Sequence, residues 1–453
     1  MFTGIKLAKT MSTHTANRLR LLIKNRFLQQ VLILMTGTGL AQVLTVAIAP
    51  VLSRLYDPSS FGVFSLYSSL VSIFSVLACG RYEAAIVLPK REEEAGRLLL
   101  LSLLIPVGMA SVLFCLLLLV GSEIMAVALP RELVSWFWFL PIHLIAIGFF
   151  QALNYWTTRT ERYKRLSQAQ ISRSVTAGTT QVSIGAMYPG PLGLMGGQFL
   201  GQLVASSILT WQIWREQRNF WRQCWSWPDI RQIVRAYIRF PLYSAPQALL
   251  NALSQNVPAF FLTHAYGAAI VGWYALAHRL IDMPLTFLGQ SLTQVYYQRA
   301  SKAIHERQSL YHLLQKATWM LGLIGILPAI VILMFGSQLF SLFLGHAWGE
   351  AGHIAQWLVT WLFMGFLNSP AFVTAQVLGW QRALFVYELT LFVVRTACLF
   401  WAVSHLAPLE SIALYSMIGC FFNAMLILIV LFFTKRHKTA VTVIDEGIKE
   451  SES

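Results

Sequence analysis

The sequence predicts an all-α integral membrane protein, with about twelve transmembrane helices in two six-helix lobes around a central cavity. Three observations carry this expectation. The 453 residues are 56% hydrophobic and only 12% charged, about half the charged share of a soluble protein. Apolar runs of about 20 residues recur along the whole length, each long enough to cross a hydrocarbon core. The basic residues alternate between loops in step with those runs. Helices rather than barrel strands are expected, because "LLLLSLLIPVGMASVLFCLLLLV" is too long for a barrel strand and does not alternate in polarity.

The expected spans lie near residues 31–49, 61–80, 98–120, 134–154, 168–187, 192–213, 240–263, 268–290, 314–335, 354–377, 384–403 and 411–433. An even number places both termini on one side. With that side as the cytoplasm, the cations fall there in clusters. Lys24 and Arg26 precede the first span; Lys90, Arg91 and Arg97 follow the second; Arg159, Arg162, Lys164 and Arg165 follow the fourth. Arg215, Arg218, Arg222, Arg231, Arg235 and Arg239 follow the sixth, Arg299, Lys302 and Arg307 the eighth, Arg382 the tenth, and Lys435, Arg436 and Lys438 the twelfth. The opposite loops hold little beyond Arg54 and Arg131. This is the positive-inside asymmetry, so the net charge of +15 is read as topology and nucleic acid is not an expected partner. The first apolar run lacks a small-residue cleavage site and reads as a retained span. The five cysteines, at 79, 115, 224, 398 and 420, have no metal-ligand spacing, and no redox role is expected of them.

The organisation follows from the longest polar linker. Residues 1–30 form a basic cytoplasmic segment, 31–214 the first lobe, 215–239 a cytoplasmic amphipathic linker rich in Trp and Arg, 240–433 the second lobe and 434–453 a cytoplasmic tail. The halves echo one another. "FGVFSLYSSLV" opens the second span and "IVGWYALAHRLI" the eighth, and aligning Gly62 with Gly272 also pairs Phe64 with Tyr274 and Leu66 with Leu276. Halves of equal orientation imply a pseudo-twofold axis along the membrane normal and lobes that rock about a shared site. Pro50, Pro258 and Pro284 are hinge candidates, since proline removes a backbone hydrogen bond and kinks a helix.

Charges inside the spans are the functional signal. An arginine at mid-bilayer costs roughly 2.5–3.5 kcal/mol on insertion scales. Arg279 lies near mid-depth in the eighth span and Arg395 at similar depth in the eleventh; Arg173, Arg81 and Arg54 lie nearer the ends of the fifth, second and first spans. Arg279 and Asp282 are close enough along a helix to neutralise one another. Arg395 has only Glu388, seven residues away and roughly 10 Å along the axis, and is expected to face a polar cavity or an anionic ligand. Guanidinium groups suit phosphate through paired planar hydrogen bonds. Arg81 and Glu83 read as an interfacial pair, and the "REEE" run at 91–94 as a solvated loop. Walker A, HExxH and GxSxG motifs are missing from the sequence, so no catalysis is expected. No cofactor is expected either, beyond proton or sodium coupling through Asp282 or Glu388.

Three stretches resemble a known family. "PVLSRLYDPSSFGVFSLYSSLVSIFSVLACGRYEAAIVLPKREEEAGRLLLLSL" is similar to the N-terminal signature of bacterial polysaccharide and O-antigen repeat-unit flippases of the Wzx type, "YIRFPLYSAPQALLNALSQNVPAFFLTHAYGAAIVGWYALAHRLIDMPLTFLGQSLTQVYYQRAS" to their seventh and eighth helices, and "LFSLFLGHAWGEAGHIAQWL" to the segment leading into their tenth. These flippases belong to the multidrug/oligosaccharidyl-lipid/polysaccharide exporter superfamily. The resemblance implies alternating-access transfer of an undecaprenyl-pyrophosphate-linked oligosaccharide from the cytoplasmic to the periplasmic leaflet of the bacterial inner membrane. It also implies cavity arginines that engage the pyrophosphate, and as partners the lipid-linked oligosaccharide, membrane lipids, a polysaccharide polymerase and other assembly proteins. Arg279 occupies the family's arginine in "LAHRL"; Arg395 rests on depth alone. Rival readings are a cation-coupled multidrug antiporter, whose cavity would be acidic or aromatic, a peptidoglycan lipid flippase, which typically carries two further helices, and a membrane glycosyltransferase or polymerase, which needs a large outer loop or a catalytic carboxylate motif.

Overall fold

The computed structural model describes residues 26–128, 131–216, 227–306 and 309–451. The segment around Lys24 and the positions of Arg218, Arg222, Cys224 and Arg307, each assigned above to a loop or terminus, lie outside the described residues. Among the described residues the chain is helical throughout its ordered elements. These are α1 (Arg26–Ala47), α2 (Ala49–Leu55), α3 (Pro58–Ala78), α4 (Glu92–Ala128), α5 (Arg131–Phe137), α6 (Leu140–Arg159), α7 (Tyr163–Met187), α8 (Pro191–Glu216), α9 (Trp227–Ala236), α10 (Ala245–Tyr266), α11 (Ala268–His305), α12 (Leu310–Leu344), α13 (Gly349–Val377), α14 (Gln381–His405) and α15 (Pro408–Ser451).

Among the described residues, eight stretches are long and apolar enough to cross a membrane. The other four long helices are α6, α7, α10 and α11, and together they make up the twelve expected. Those four carry much of the polar cargo: His143, Gln170, Arg173, Gln181, Gln255, Asn256, His278, Arg279 and Asp282. A helix with polar groups at membrane depth must satisfy them within protein or a wet cavity.

The described residues pack into two compact units, one formed by those within 26–48, 67–188 and 192–253, the other by those within 49–66, 189–191 and 254–451. In the first, α1 lies against α7 and α4 against α6. Thr38 donates to Gln170 Oε1 at 2.7 Å across the former pair, and Cys79 Sγ reaches Gly148 O at 3.3 Å. Small residues at such crossings let helix backbones approach, which is how helices associate where lipid removes the hydrophobic drive. The amphipathic linker is partly seen as α9. It buries Ile230 and Ile233 and exposes Arg231 and Arg235, and Tyr82 Oη donates to Val234 O at 3.3 Å.

In the second unit, α13 is the central helix, in contact with α11, α12 and α15. Trp348 explains why "GHAW" precedes it. Its indole is fully buried, donates from Nε1 to Ser53 O at 2.8 Å and meets the Phe61 ring edge-on at 5.0 Å. That anchors residues 49–66 to this unit. The Gly62–Gly272 correspondence read from the sequence reappears as a reciprocal contact. A Cβ on Gly62 would lie 1.8 Å from Ala268 O, and a Cβ on Gly272 1.8 Å from Pro58 O. Pro58 to Gly62 and Ala268 to Gly272 are each one helical turn, so the same step of both repeats forms one backbone-to-backbone crossing.

The "REEE" run is not a loop: Glu92, Glu93 and Glu94 form the first turn of α4, where carboxylates complement the helix dipole, and Glu94 Oε1 accepts from Tyr237 Oη at 3.0 Å. Of the hinge candidates, Pro50 follows the interruption between α1 and α2, whereas Pro258 and Pro284 lie inside continuous helices.

Candidate functional site

The sequence-predicted arginines fall into different surroundings. Arg54 is exposed at the end of α2. Arg81 adopts a left-handed φ of 63° and pairs with the buried Glu83 at 3.6 Å. Glu83 lies between spans. Burial pushes its carboxyl above the ordinary carboxylate range, an effect partly offset by its backbone hydrogen bond and by Arg81. Arg279 is exposed on α11. On the same helix Asp282 is half-buried and accepts from Thr286 Oγ1 at 3.1 Å. Glu388 is exposed on α14.

Arg395 is the one that the structure encloses most. It is 8% exposed. Its guanidinium carbon sits 3.8 Å from the centroid of the Trp361 ring and 3.6 Å from that of Tyr415. Both aromatic faces attract the cation through their quadrupoles, an interaction worth about 2 kcal/mol or more when desolvated. Two side chains extend the cluster: His278 lies 5.6 Å from the Trp361 ring and Tyr274 5.9 Å from His278. Among the described residues, Arg395 Nε and Nη2 are buried without a hydrogen-bond partner. The rings cover the flat faces of a guanidinium and leave its N–H groups pointing outward in plane. A planar fork of unpaired donors at membrane depth is chemistry for an anion.

Arg173 in the first unit is a looser counterpart: its side chain is exposed, a single ring lies near it and a hydrogen bond engages it. Its Nη1 donates to Gln202 Oε1 at 3.3 Å, and its guanidinium carbon is 5.8 Å from the Phe150 centroid. Within electrostatic reach is His143, whose Nδ1 shares a 2.7 Å hydrogen bond with Tyr67 Oη. In chain order, Arg173 belongs to the fifth long helix of its half and Arg395 to the fifth of its own. Each meets an aromatic ring on the fourth helix (Phe150, Trp361) and a side chain on the sixth (Gln202, Tyr415). The internal repeat therefore extends to the arginine settings, which the sequence alignment at Gly62 and Gly272 did not reach.

Trp361, Tyr415, His278, His143 and Phe150 were not among the residues singled out from the sequence. His278 adjoins Arg279 in "LAHRL" and was open to notice. Trp361 and Tyr415 give no such signal, because one more aromatic in an apolar helix is ordinary.

Comparison with known proteins gives the following. A family model described as "Polysaccharide biosynthesis protein" matches residues 51–353. The lipopolysaccharide biosynthesis protein WzxC of Escherichia coli (strain K12) is 23% identical over 342 residues, which cover 74% of this chain and 65% of that protein's length. Among solved structures, the inward-facing conformation of a multidrug resistance MATE family transporter of the MOP superfamily aligns with TM-score 0.67 and 16% identity, covering 90% of this chain and 95% of that one. The lipid II flippase MurJ in its inward closed conformation aligns at 0.62 with 11% identity, over 91% and 93%. A MOP superfamily transporter from Pyrococcus furiosus, described as having a binding pocket of reverse polarity, aligns at 0.53 with 16% identity, over 91% and 94%. At these identities the structural likeness is one of fold.

Proposed function

The chain belongs to the polysaccharide biosynthesis protein family, and from that premise we propose that it is a flippase for an undecaprenyl-pyrophosphate-linked oligosaccharide repeat unit. It carries this O-antigen or related precursor from the cytoplasmic to the periplasmic leaflet of the bacterial inner membrane by alternating access. The observation that carries the reading is Arg395, a buried guanidinium held between Trp361 and Tyr415 with two nitrogens unpaired. A lipid-linked pyrophosphate supplies the anion that this fork lacks. Arg173, Arg279, Arg81 and Arg54 are the further cations that we assign to the substrate. The related lipopolysaccharide biosynthesis protein and the lipid II flippase support a substrate with a lipid anchor and a sugar head. A cation-coupled drug antiporter would call for an acidic or aromatic cavity; aromatic rings are present here, but they surround Arg173 and Arg395, and those cations oppose a cationic substrate.

Energetics favour the direction. An anion leaving a negative interior gains about 2.3 kcal/mol per charge per 100 mV. Where the arginines neutralise it, the same potential acts on the return of the empty carrier. Asp282, with its Thr286 hydrogen bond and His278 one turn away, is the carboxylate we assign to proton or sodium coupling; Glu388 is the alternative.

The test is to delete the gene and follow radiolabelled lipid-linked sugars. Accumulation on the cytoplasmic leaflet, reversed by the wild-type gene and not by Arg395→Ala, is the expected result. An unchanged leaflet distribution would overturn the proposal.

A further inference from the structure

The first unit holds a basic cavity that the transport reading does not use. It has a volume of about 920 Å³ and is lined, between the start of α7 and the end of α8, by Arg162, Lys164, Arg165, Trp211, Arg215 and Glu216, among others. Glu161, just ahead of α7, also lines it and adopts a left-handed φ of 56°. Strain of that kind in a non-glycine residue persists where surrounding structure requires the turn. One carboxylate serves two guanidiniums: Glu216 is paired with Arg162 and, at 2.5 Å, with Arg165. Lys164 is exposed, and Arg215 stacks 5.4 Å from the centroid of Trp211. With four cations against Glu161 and Glu216, the lining carries two positive charges more than it neutralises.

We propose that this cavity binds the headgroup of an anionic phospholipid of the bulk bilayer, best a two-phosphate headgroup such as that of cardiolipin. Two features favour a bilayer lipid. Trp211 and Trp214 are 58% and 56% exposed on a membrane helix, so this end of α8 presents indoles to the surrounding interface, where tryptophan settles at headgroup depth. The cavity lies among the cationic loop ends that the positive-inside pattern assigns to the cytoplasmic leaflet, and basic pockets between transmembrane helices on that side are suited to diphosphate lipid heads. Glu216 occupies the same guanidiniums that a phosphate would claim, so it acts as an internal competitor.

That competition gives the proposal a signature with opposite signs. Native mass spectrometry of the purified full-length protein in detergent is titrated with cardiolipin and, separately, with phosphatidylcholine. The wild type is expected to retain one cardiolipin in preference to phosphatidylcholine. Lys164→Gln and Arg215→Gln should each weaken that retention about fivefold. Glu216→Gln should strengthen it, whereas a merely structural ion-pair cluster would lose stability and bind no better. Thermal unfolding of each variant checks that it is folded, and the lysine and arginine variants stand as the test where Glu216→Gln is not. Inorganic pyrophosphate at millimolar concentration distinguishes the source: cardiolipin retained in its presence supports a lipid site. Displacement by pyrophosphate, equal retention of both lipids, or weaker retention by folded Glu216→Gln would each overturn the proposal.

Discussion

At the scale of the residue, Arg395 shows how a membrane protein keeps a buried charge without an acid beside it. Its burial is offset by two aromatic faces instead of by a carboxylate, so its positive charge is not neutralised by those contacts. Two consequences separate function from structure. Arg395→Met removes a buried cation that lacks an acid among its described contacts and fills a similar volume, so its thermal stability in detergent should stay close to that of the wild type, while transport falls by about tenfold or more. Arg395→Lys keeps the charge but not the planar fork or the stacking, and its transport should fall nearly as far. Equal transport by the lysine variant would show that charge alone suffices. Glu83 makes a different prediction. Its folded pKa is raised by burial, so the folded state holds its proton to higher pH than the unfolded state does. Stability therefore declines as pH rises from the ordinary carboxylate range through the folded pKa. Glu83→Gln should flatten that decline and melt higher than the wild type at neutral pH, measured as Tm from pH 4 to 8.

Among the elements, the crossing of α3 and α11 is the clearest product of the internal repeat. Each glycine lies where any Cβ would strike the other helix's carbonyl. Gly62→Ala and Gly272→Ala should each destabilise by about 1–3 kcal/mol through overpacking. The double variant should cost little more than one, because separating the helices relieves both clashes at once, and contacting sites do not add. Gly108→Ala is the control: nothing lies within 4 Å of its Cβ position, and alanine there should be neutral or slightly stabilising. Chemical unfolding in detergent reads all four. The Gly62–Gly272 correspondence was legible in the sequence as a repeat. That the two copies touch one another was not, because an alignment records similarity and contains no distances.

For the whole molecule, the expectation still to be measured is orientation. In a cysteine-free background, Lys164→Cys should react with a membrane-impermeant maleimide only from the cytoplasmic side, and Arg54→Cys only from the periplasmic side. The opposite pattern would invert every loop assignment. Hydropathy and charge alternation are properties of the chain taken in order, so the sequence by itself determined that lipid is the solvent, that the spans are helices, how many there are, and which family the chain resembles. It also marked Arg395 as a charge in need of explanation. What only the tertiary structure decided is the explanation. Trp361, Arg395 and Tyr415 come from three separate helices, as do Phe150, Arg173 and Gln202. Whether a buried guanidinium meets a carboxylate, an aromatic face or open space depends on how helices rotate and pack, and that choice is made by side-chain fit among residues far apart in the chain.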